Sequence, residues 1–154
     1  MTYRKILVPV FGSAHDQPTI KAAFGLARQF GAHAEALFVR VDPLRAGTYG
    51  YIGGDASGFA AQYVIEAAIR AADEAQKIAS SSFDKMIEKL GIEVKSDPGP
   101  SAEATARFKI VRGDLLDEIE RASRLCDLIV FGSAGEAGDS ETTRGGFEAA
   151  LLSG

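Results

Sequence analysis

Cysteine, histidine and tryptophan are almost missing from this sequence of 154 residues, which has one cysteine, two histidines and no tryptophan. The lone Cys126 excludes an intrachain disulfide, and His15 and His33 have no partners at zinc-ligand spacing. The fold therefore depends on an apolar core, for which one domain of this length is large enough.

A basic excess and a long apolar run are missing as well. The chain has 17 Lys and Arg against 21 Asp and Glu, a formal net charge of −4, which argues against a general nucleic-acid binder. The first apolar run, residues 6–10, is too short for a membrane span or a signal-peptide core. We therefore expect a cytoplasmic protein with neither nucleic acid nor membrane as partner.

What is present is a regular alternation of short apolar runs with helical patterns. Continuous β-branched runs are typical of strands that are covered on both faces. The alternation predicts an α/β domain with an open parallel sheet and helices on both faces. In the long helix we expect either fraying at its start or a break near residues 80–82, and we expect a polar connector over 92–104. The predicted strands are 5–10, 34–39, 104–111 and 127–131, and the predicted helices are 18–30, 59–90 and 115–124, with an apolar stretch over 147–152 as the last helical segment.

Glycine is concentrated in two segments, residues 47–58 and 132–146, which hold ten of the 17 glycines. Both segments follow predicted strands, so both map to the carboxyl edge of the sheet. Ligands of open α/β sheets bind beyond this edge, where the strand order reverses. The glycines therefore indicate where a ligand site is expected.

Two segments resemble the universal stress protein family. Residues 8–13 (VPVFGS) resemble its first strand and turn, and residues 127–133 (DLIVFGS) resemble its fourth strand. The spacing Gly132-x2-Gly135-x9-Gly145 is similar to that of the family's ATP-binding members. The resemblance covers nearly the whole chain, in order, and implies a Rossmann-like sheet of the adenine nucleotide alpha hydrolase type.

The resemblance also implies a site for ATP, with Mg²⁺ as a bridging ion. Adenine and ribose would contact the ends of the first two strands, and the phosphates would lie on the second glycine segment. Glycine lets backbone N–H groups approach phosphate oxygens closely. The implied nucleotide-binding residues are Pro9, Val10, Phe11, Val39, Gly132, Ser133, Gly135, Gly145 and Gly146.

Two residues depart from the family pattern, and the charge of the loop also opposes phosphate. Phe11 stands where ATP-binding members usually have Asp, and Gly146 stands where they have Ser or Thr. Residues 136–144 carry three acidic side chains and one arginine, which repels a polyphosphate. We expect weak ATP binding with at most slow hydrolysis. The alternative is a nucleotide-free dimerisation or interaction module, and an adenylate-forming enzyme ranks last because no catalytic His or Lys signature is present.

The end of the chain is a further departure. The family's fold has a fifth strand after the last helix, and this sequence stops at Gly154, where that strand would begin. We expect residues 1–154 to form one domain that is C-terminally incomplete or the first half of a tandem protein. A homodimer or a tandem partner domain would cover the open sheet edge.

Other reactive side chains have ordinary structural interpretations. Cys126 is expected to be a small buried apolar residue, Asp114 a helix cap, His15 an exposed loop residue and His33 a structural or surface residue. The sequence has no Gly-x-Ser-x-Gly and no Gly-x4-Gly-Lys-Ser/Thr motif, which excludes the usual serine hydrolase and P-loop signatures.

Overall fold

The computed structural model describes residues 3–41, 58–98 and 103–132. In these ranges strands and helices alternate along the chain, as the sequence predicts. The elements in order are β1 Lys5–Val10, α1 Asp16–Phe30, β2 His33–Val41, α2 Gly58–Leu90, β3 Glu93–Val94, β4 Thr105–Gly113, α3 Leu115–Ser123 and β5 Leu128–Ile129.

The strands form one sheet in the order β3-β4-β2-β1-β5, and every neighbouring pair is parallel. The predicted α/β architecture is confirmed. The chain moves from β1 to β2 and β4 on one side and later returns to place β5 on the other side of β1. The strand order therefore reverses between β1 and β5, and in open α/β sheets a ligand cleft is expected at the carboxyl ends of such strands.

The number of strands differs from the prediction. The described sheet has five strands, because Glu93–Val94 pairs with Thr105 and Ala106 inside the segment that was expected to be a connector. The predicted number of four strands is therefore corrected to five for the described residues. The place where that strand was expected, after the last helix, lies outside the described residues.

Helices cover both faces of the sheet, as predicted. Alternate side chains of β1 point to opposite faces, so each face has its own apolar cluster. On one face α1 and α2 pack on the sheet, and on the other face α3 does. The first cluster includes Ile6, Val8, Val10, Phe24 and Phe83, and the second includes Leu7, Leu37, Val39 and Ile119.

The long helix α2 is continuous through residues 80–82, so the predicted break is wrong. It spans 33 residues, about 50 Å at the usual rise per residue. Ala79 and Phe83 are buried on either side of the serine run, and this packing outweighs the weak helix propensity of serine. In the described part of the chain no helix is long and apolar enough to cross a membrane.

The core-facing side of α2 also differs from the predicted one. The helical spacing of apolar residues in 59–90 predicts a core-facing stripe that includes Val64, Ile78 and Met86, but Val64 and Ile78 are 52% and 39% exposed. Met86 is buried as predicted, and Ala79 and Phe83, which were not in the predicted stripe, are buried as well. The apolar stripe was therefore assigned correctly only near its carboxyl end, because the alanine-rich first half of α2 gives little contrast between its faces.

Two predicted helix ends are confirmed: the helix predicted over 18–30 ends at Phe30, before Gly31, and Asp114 caps the start of α3. Gly31 ends α1 in the left-handed conformation with φ of 61°, which a glycine adopts without strain. Asp114 begins α3 by accepting hydrogen bonds from the backbone N–H groups of Leu116 and Asp117 at 3.0 and 3.3 Å. The helical spacing of apolar residues in 115–124 predicts that Leu116 faces inward together with Ile119, but Leu116 is 43% exposed whereas Ile119 is buried.

Candidate functional site

A buried carboxylate holds the turn that follows β1. The Asp16 side chain is 3% exposed and accepts hydrogen bonds from the backbone N–H groups of Phe11, Gly12 and Ser13 at 3.0, 2.7 and 3.3 Å. Burial raises the pKa of Asp16, although the three N–H donors act in the opposite direction. The sequence showed Asp16 only as a residue near the start of a helix, so its role in the turn was missed.

Two glycines allow the helices to approach this turn closely. Gly12 has φ of 77°, and a Cβ atom there would lie 2.4 Å from the Cα atom of Ala75 in α2. A Cβ atom on Gly132, after β5, would lie 2.5 Å from the Thr19 hydroxyl, which donates to the carbonyl of His15 at 2.7 Å. Glycine is therefore required at Gly12, where the contact is with backbone and φ is positive, whereas a Cβ atom at Gly132 would displace the Thr19 hydroxyl from its present position.

A cavity of about 310 Å³ lies where these elements meet, at the carboxyl ends of β1 and β2. Its wall is mainly apolar, with side chains from both strands, the first turn of α1 and the alanines of α2. This volume is at the lower end of the range for small-molecule sites, roughly 300–1,000 Å³. It suits the base and ribose of a nucleotide better than a whole triphosphate.

Five of the nine residues that the family resemblance implied lie in the wall of this cavity. The other four, at positions 133, 135, 145 and 146, lie outside the described residues. The five that the structure brings together are Pro9, Val10, Phe11, Val39 and Gly132.

The described wall of the cavity contains no lysine or arginine, and its ionisable side chains are His15 and Asp16. His15 is partly buried there, which corrects its interpretation as an exposed loop residue. Arg40, near the end of β2, hydrogen-bonds to Asp73 at 2.5 Å and to Gln76 at 3.1 Å on α2. The described wall is therefore poorly suited to hold a polyphosphate.

A second buried carboxylate lies on the sheet face that α3 partly covers. Glu35 on β2 is 1% exposed and forms ion pairs with Lys5, Arg107 and Lys109 at 3.2, 2.8 and 3.5 Å. Burial alone would raise the pKa of Glu35, but the three cations outweigh it and lower the pKa. We call these four residues the Glu35 cluster, and none of them lines the cavity.

His33 and Cys126 are in surroundings that do not favour a catalytic role. His33 is buried, its Nδ1 lies 2.8 Å from the Thr105 hydroxyl, and burial and the nearby Arg107 lower its pKa. Burial raises the pKa of the Cys126 thiol to about 11, so it is a poor nucleophile near neutral pH. Among the described residues no group of three or more His, Cys, Asp or Glu side chains could hold a metal ion.

The model of the Universal stress protein family matches residues 2–154. The chain belongs to the universal stress protein family. Among solved structures, it is similar to the universal stress protein UspA from Lactobacillus plantarum, with 20% identity over 97% of this chain and 93% of that one, and a TM-score of 0.60. A universal stress protein family member from Burkholderia pseudomallei has 18% identity over 96% and 90%, with a TM-score of 0.54.

At these identities the solved structures support the universal stress protein fold alone. A universal stress protein solved in complex with cAMP aligns over 99% of this chain and 91% of its own, with 14% identity and a TM-score of 0.49, which is too low to support an argument about ligands. A comparison with curated protein sequences gives no match.

Proposed function

We propose that this universal stress protein binds an adenine nucleotide weakly in the cavity, without efficient catalysis. The observation that carries the proposal is the position of the cavity, at the carboxyl ends of β1 and β2 and beside the reversal of strand order. Five residues that the family resemblance implied meet there. An apolar cleft at this place in an open α/β sheet is the usual site for a nucleotide.

The walls support binding of the base and ribose. Phe11, Val39 and Pro9 offer flat and apolar surface to an adenine ring. The N–H group of Phe11 already donates to Asp16, so it is not free to bind the adenine edge. Recognition of the base therefore depends on shape and stacking, which gives lower affinity and selectivity than a carboxylate at this position would.

The charges support weak phosphate binding and little catalysis. Bound Mg²⁺ would neutralise phosphate charge, but both oxygens of Asp16 are already engaged by backbone N–H groups. The described wall has no lysine or arginine to stabilise charge that develops during phosphoryl transfer. At most slow hydrolysis is expected.

Calorimetric titration with ATP, with and without Mg²⁺, tests the proposal. Ala72 of α2 lines the cavity, and Ala72→Phe should fill it and weaken binding at least tenfold. Ala22→Phe is the matched control, because Ala22 is exposed on α1 and does not line the cavity. Equal affinity of both variants for ATP would show that ATP does not bind in the cavity.

The second candidate function is a nucleotide-free dimerisation or interaction module. It is favoured by Asp16, which occupies the N–H groups of the β1 turn that a ligand would otherwise use. Absence of heat at millimolar ATP, in a protein that unfolds cooperatively, would support this function and contradict the first. Homodimer formation stays a prediction, and sedimentation at several concentrations tests it.

A further inference from the structure

The short strand β3 leaves most of β4 open on its outer side. β3 pairs only with Thr105 and Ala106, and its last hydrogen bond runs from the N–H group of Lys95 to the carbonyl of Ala106 at 3.0 Å. β4 continues to Gly113, and no described strand pairs with its residues 107–113 on this side. With respect to the described residues, this stretch is therefore an unpaired sheet edge.

The hydrogen bonds of the first residues of β4 show which backbone groups face this edge. The N–H group of Thr105 donates to Ala32, on the β2 side, whereas the carbonyl of Ala106 accepts from Lys95, on the β3 side. Successive residues of a parallel strand direct their polar groups to opposite neighbours. The residues that direct N–H and C=O groups to the open side are therefore Phe108, Ile110 and Arg112.

A groove of about 600 Å³ runs along this edge where β3 stops. The part of its wall that belongs to the α2 face of the sheet is apolar and contains Phe83, Val94, Phe108 and Ile110. Val94 and Ile110 are 57% and 45% exposed, although large apolar side chains are usually covered. One side of an added strand would cover them.

The other part of the groove wall is cationic. Lys95, Arg107 and Lys109 line it, and Asp84 is the acidic residue among the groove-lining side chains. The three cations lie on the sheet face that α3 partly covers, opposite the apolar part of the wall. An acidic side chain that enters on this face therefore meets three cations, whose present partners are Glu35, Glu93 and Asp97.

Two of the present acidic partners of these cations are exposed, so an acidic segment could displace them. Lys95 pairs with Glu93 at 2.7 Å and Arg107 with Asp97 at 4.0 Å, and these acidic side chains are 58% and 87% exposed. Exposed pairs of this kind stabilise little and exchange readily. The buried Glu35 is shared among three cations, so it does not neutralise them.

We propose that the edge of β4 binds an extended segment of a partner protein whose residues alternate between apolar and acidic. Such a segment would continue the line of β3 and bond to the open N–H and C=O groups of Phe108, Ile110 and Arg112. Its apolar side chains would cover Ile110, and its carboxylates would face Lys109. Strand addition of this type combines main-chain hydrogen bonds with side-chain specificity.

A second copy of the same edge fits less well. Two β4 strands paired with each other would place Arg107 and Lys109 of both copies on one face of the joined sheet, and like charges on paired strands repel. The same charges attract an acidic segment. The partner is therefore a different, acidic strand.

Amide hydrogen exchange tests the proposal in the full chain, with an end-capped octapeptide of alternating valine and glutamate as the probe. In the free protein, the amides of Phe108, Ile110 and Arg112 should exchange fast, and those of Lys109 and Val111 slowly. The probe should slow the first set at least tenfold and leave the second set unchanged. Slow exchange of the first set in the free protein would overturn the proposal, as would protection that rises with protein concentration alone.

Peptide specificity and two variants complete the test. A valine–lysine octapeptide and a peptide with four glutamates followed by four valines should bind at least tenfold more weakly than the probe, and equal binding would overturn the proposal. Ile110→Pro removes an outward N–H group and should abolish binding, whereas Ile110→Thr keeps it and should bind. If Ile110→Pro fails to fold, Lys95→Gln replaces it as the test. Lys95→Gln removes a positive charge from the groove and should weaken binding of the probe, whereas the control Lys85→Gln, at an exposed residue outside the groove, should not. Equal binding of the probe by both variants would overturn the proposal.

Discussion

Two buried carboxylates in this protein, Asp16 and Glu35, are equally hidden from solvent but differ in what holds them. Asp16 is 3% exposed and is bound by backbone N–H groups, and its pKa is raised. Glu35 is 1% exposed and is bound by cations, and its pKa is lowered. The groups that bind a buried carboxylate, and not burial alone, therefore decide whether its pKa is raised or lowered.

The surroundings of the two carboxylates also differ in what they offer to a nucleotide. The cavity beside Asp16 has an apolar wall of suitable shape without a described lysine or arginine. The Glu35 cluster has three cations around one carboxylate, but none of its residues lines that cavity. We assign the nucleotide to the cavity, because its apolar wall has a suitable shape. Each substitution that follows alters only one of the two regions.

The largest expected effect comes from closing the space at Gly12. Gly12→Ala forces a Cβ atom against the backbone of Ala75 and strains a positive φ, so we expect a loss of about 3 kcal/mol in the free energy of unfolding. Urea denaturation measures it. Gly25→Ala is the control, because Gly25 lies in α1 with no atom within 4 Å of an added Cβ, and it should stabilise by up to about 1 kcal/mol. Similar effects of both substitutions would contradict the close packing of α2 on the β1 turn.

A smaller effect is expected in the Glu35 cluster. Glu35→Gln leaves three cations without their shared anion, but these are partly exposed, so we expect a loss of about 2 kcal/mol near neutral pH. The pKa of Glu35 is lowered, so the advantage of the wild type is present above pH 4.5 and is lost as pH falls through the lowered pKa. Urea denaturation at several pH values measures this dependence. The exposed Glu74→Gln should show neither effect, and a pH-independent difference for Glu35→Gln would contradict the ion pairing.

The smallest effect, with the opposite pH dependence, is expected at Asp16. Asp16→Asn keeps an oxygen acceptor for the turn, so we expect a loss of about 1 kcal/mol near pH 4. The pKa of Asp16 is raised above 3.8, so the advantage of the wild type is complete below that pH and declines as pH rises through the raised pKa. Thermal unfolding between pH 4 and 7 measures it, with the exposed Asp84→Asn as control. A wild-type advantage that grows with pH would contradict the raised pKa.

Much of the fold could be predicted because local signals and packing agree. β1 spans Lys5–Val10 as predicted, and Gly31 and Asp114 mark helix ends. The prediction was wrong where packing overrides local preference, as in the uninterrupted stretch of α2 through residues 80–82. It also missed β3, because a strand of two residues has no periodicity to detect.

The candidate site could be predicted only in part, because some of its interactions depend on tertiary structure. Pro9 and Val39 belong to strand ends, and the reversal of strand order brings such ends together. The interactions of Asp16 and Glu35 depend on the conformation of the turn and on the register between strands, which single-sequence patterns do not contain. The presence of Lys5, Glu35 and Arg107 on separate predicted strands was the available signal for the cluster, and only the register shows that they meet.

The most direct test of the account is a titration of the ¹⁵N-labelled protein with ATP, followed through its backbone amide signals. If the cavity is the nucleotide site, the signals of Val10, Phe11 and Val39 shift in a saturable way, and those of Glu35 and Arg107 do not. Shifts confined to the Glu35 cluster, or no shifts at millimolar ATP, would contradict it.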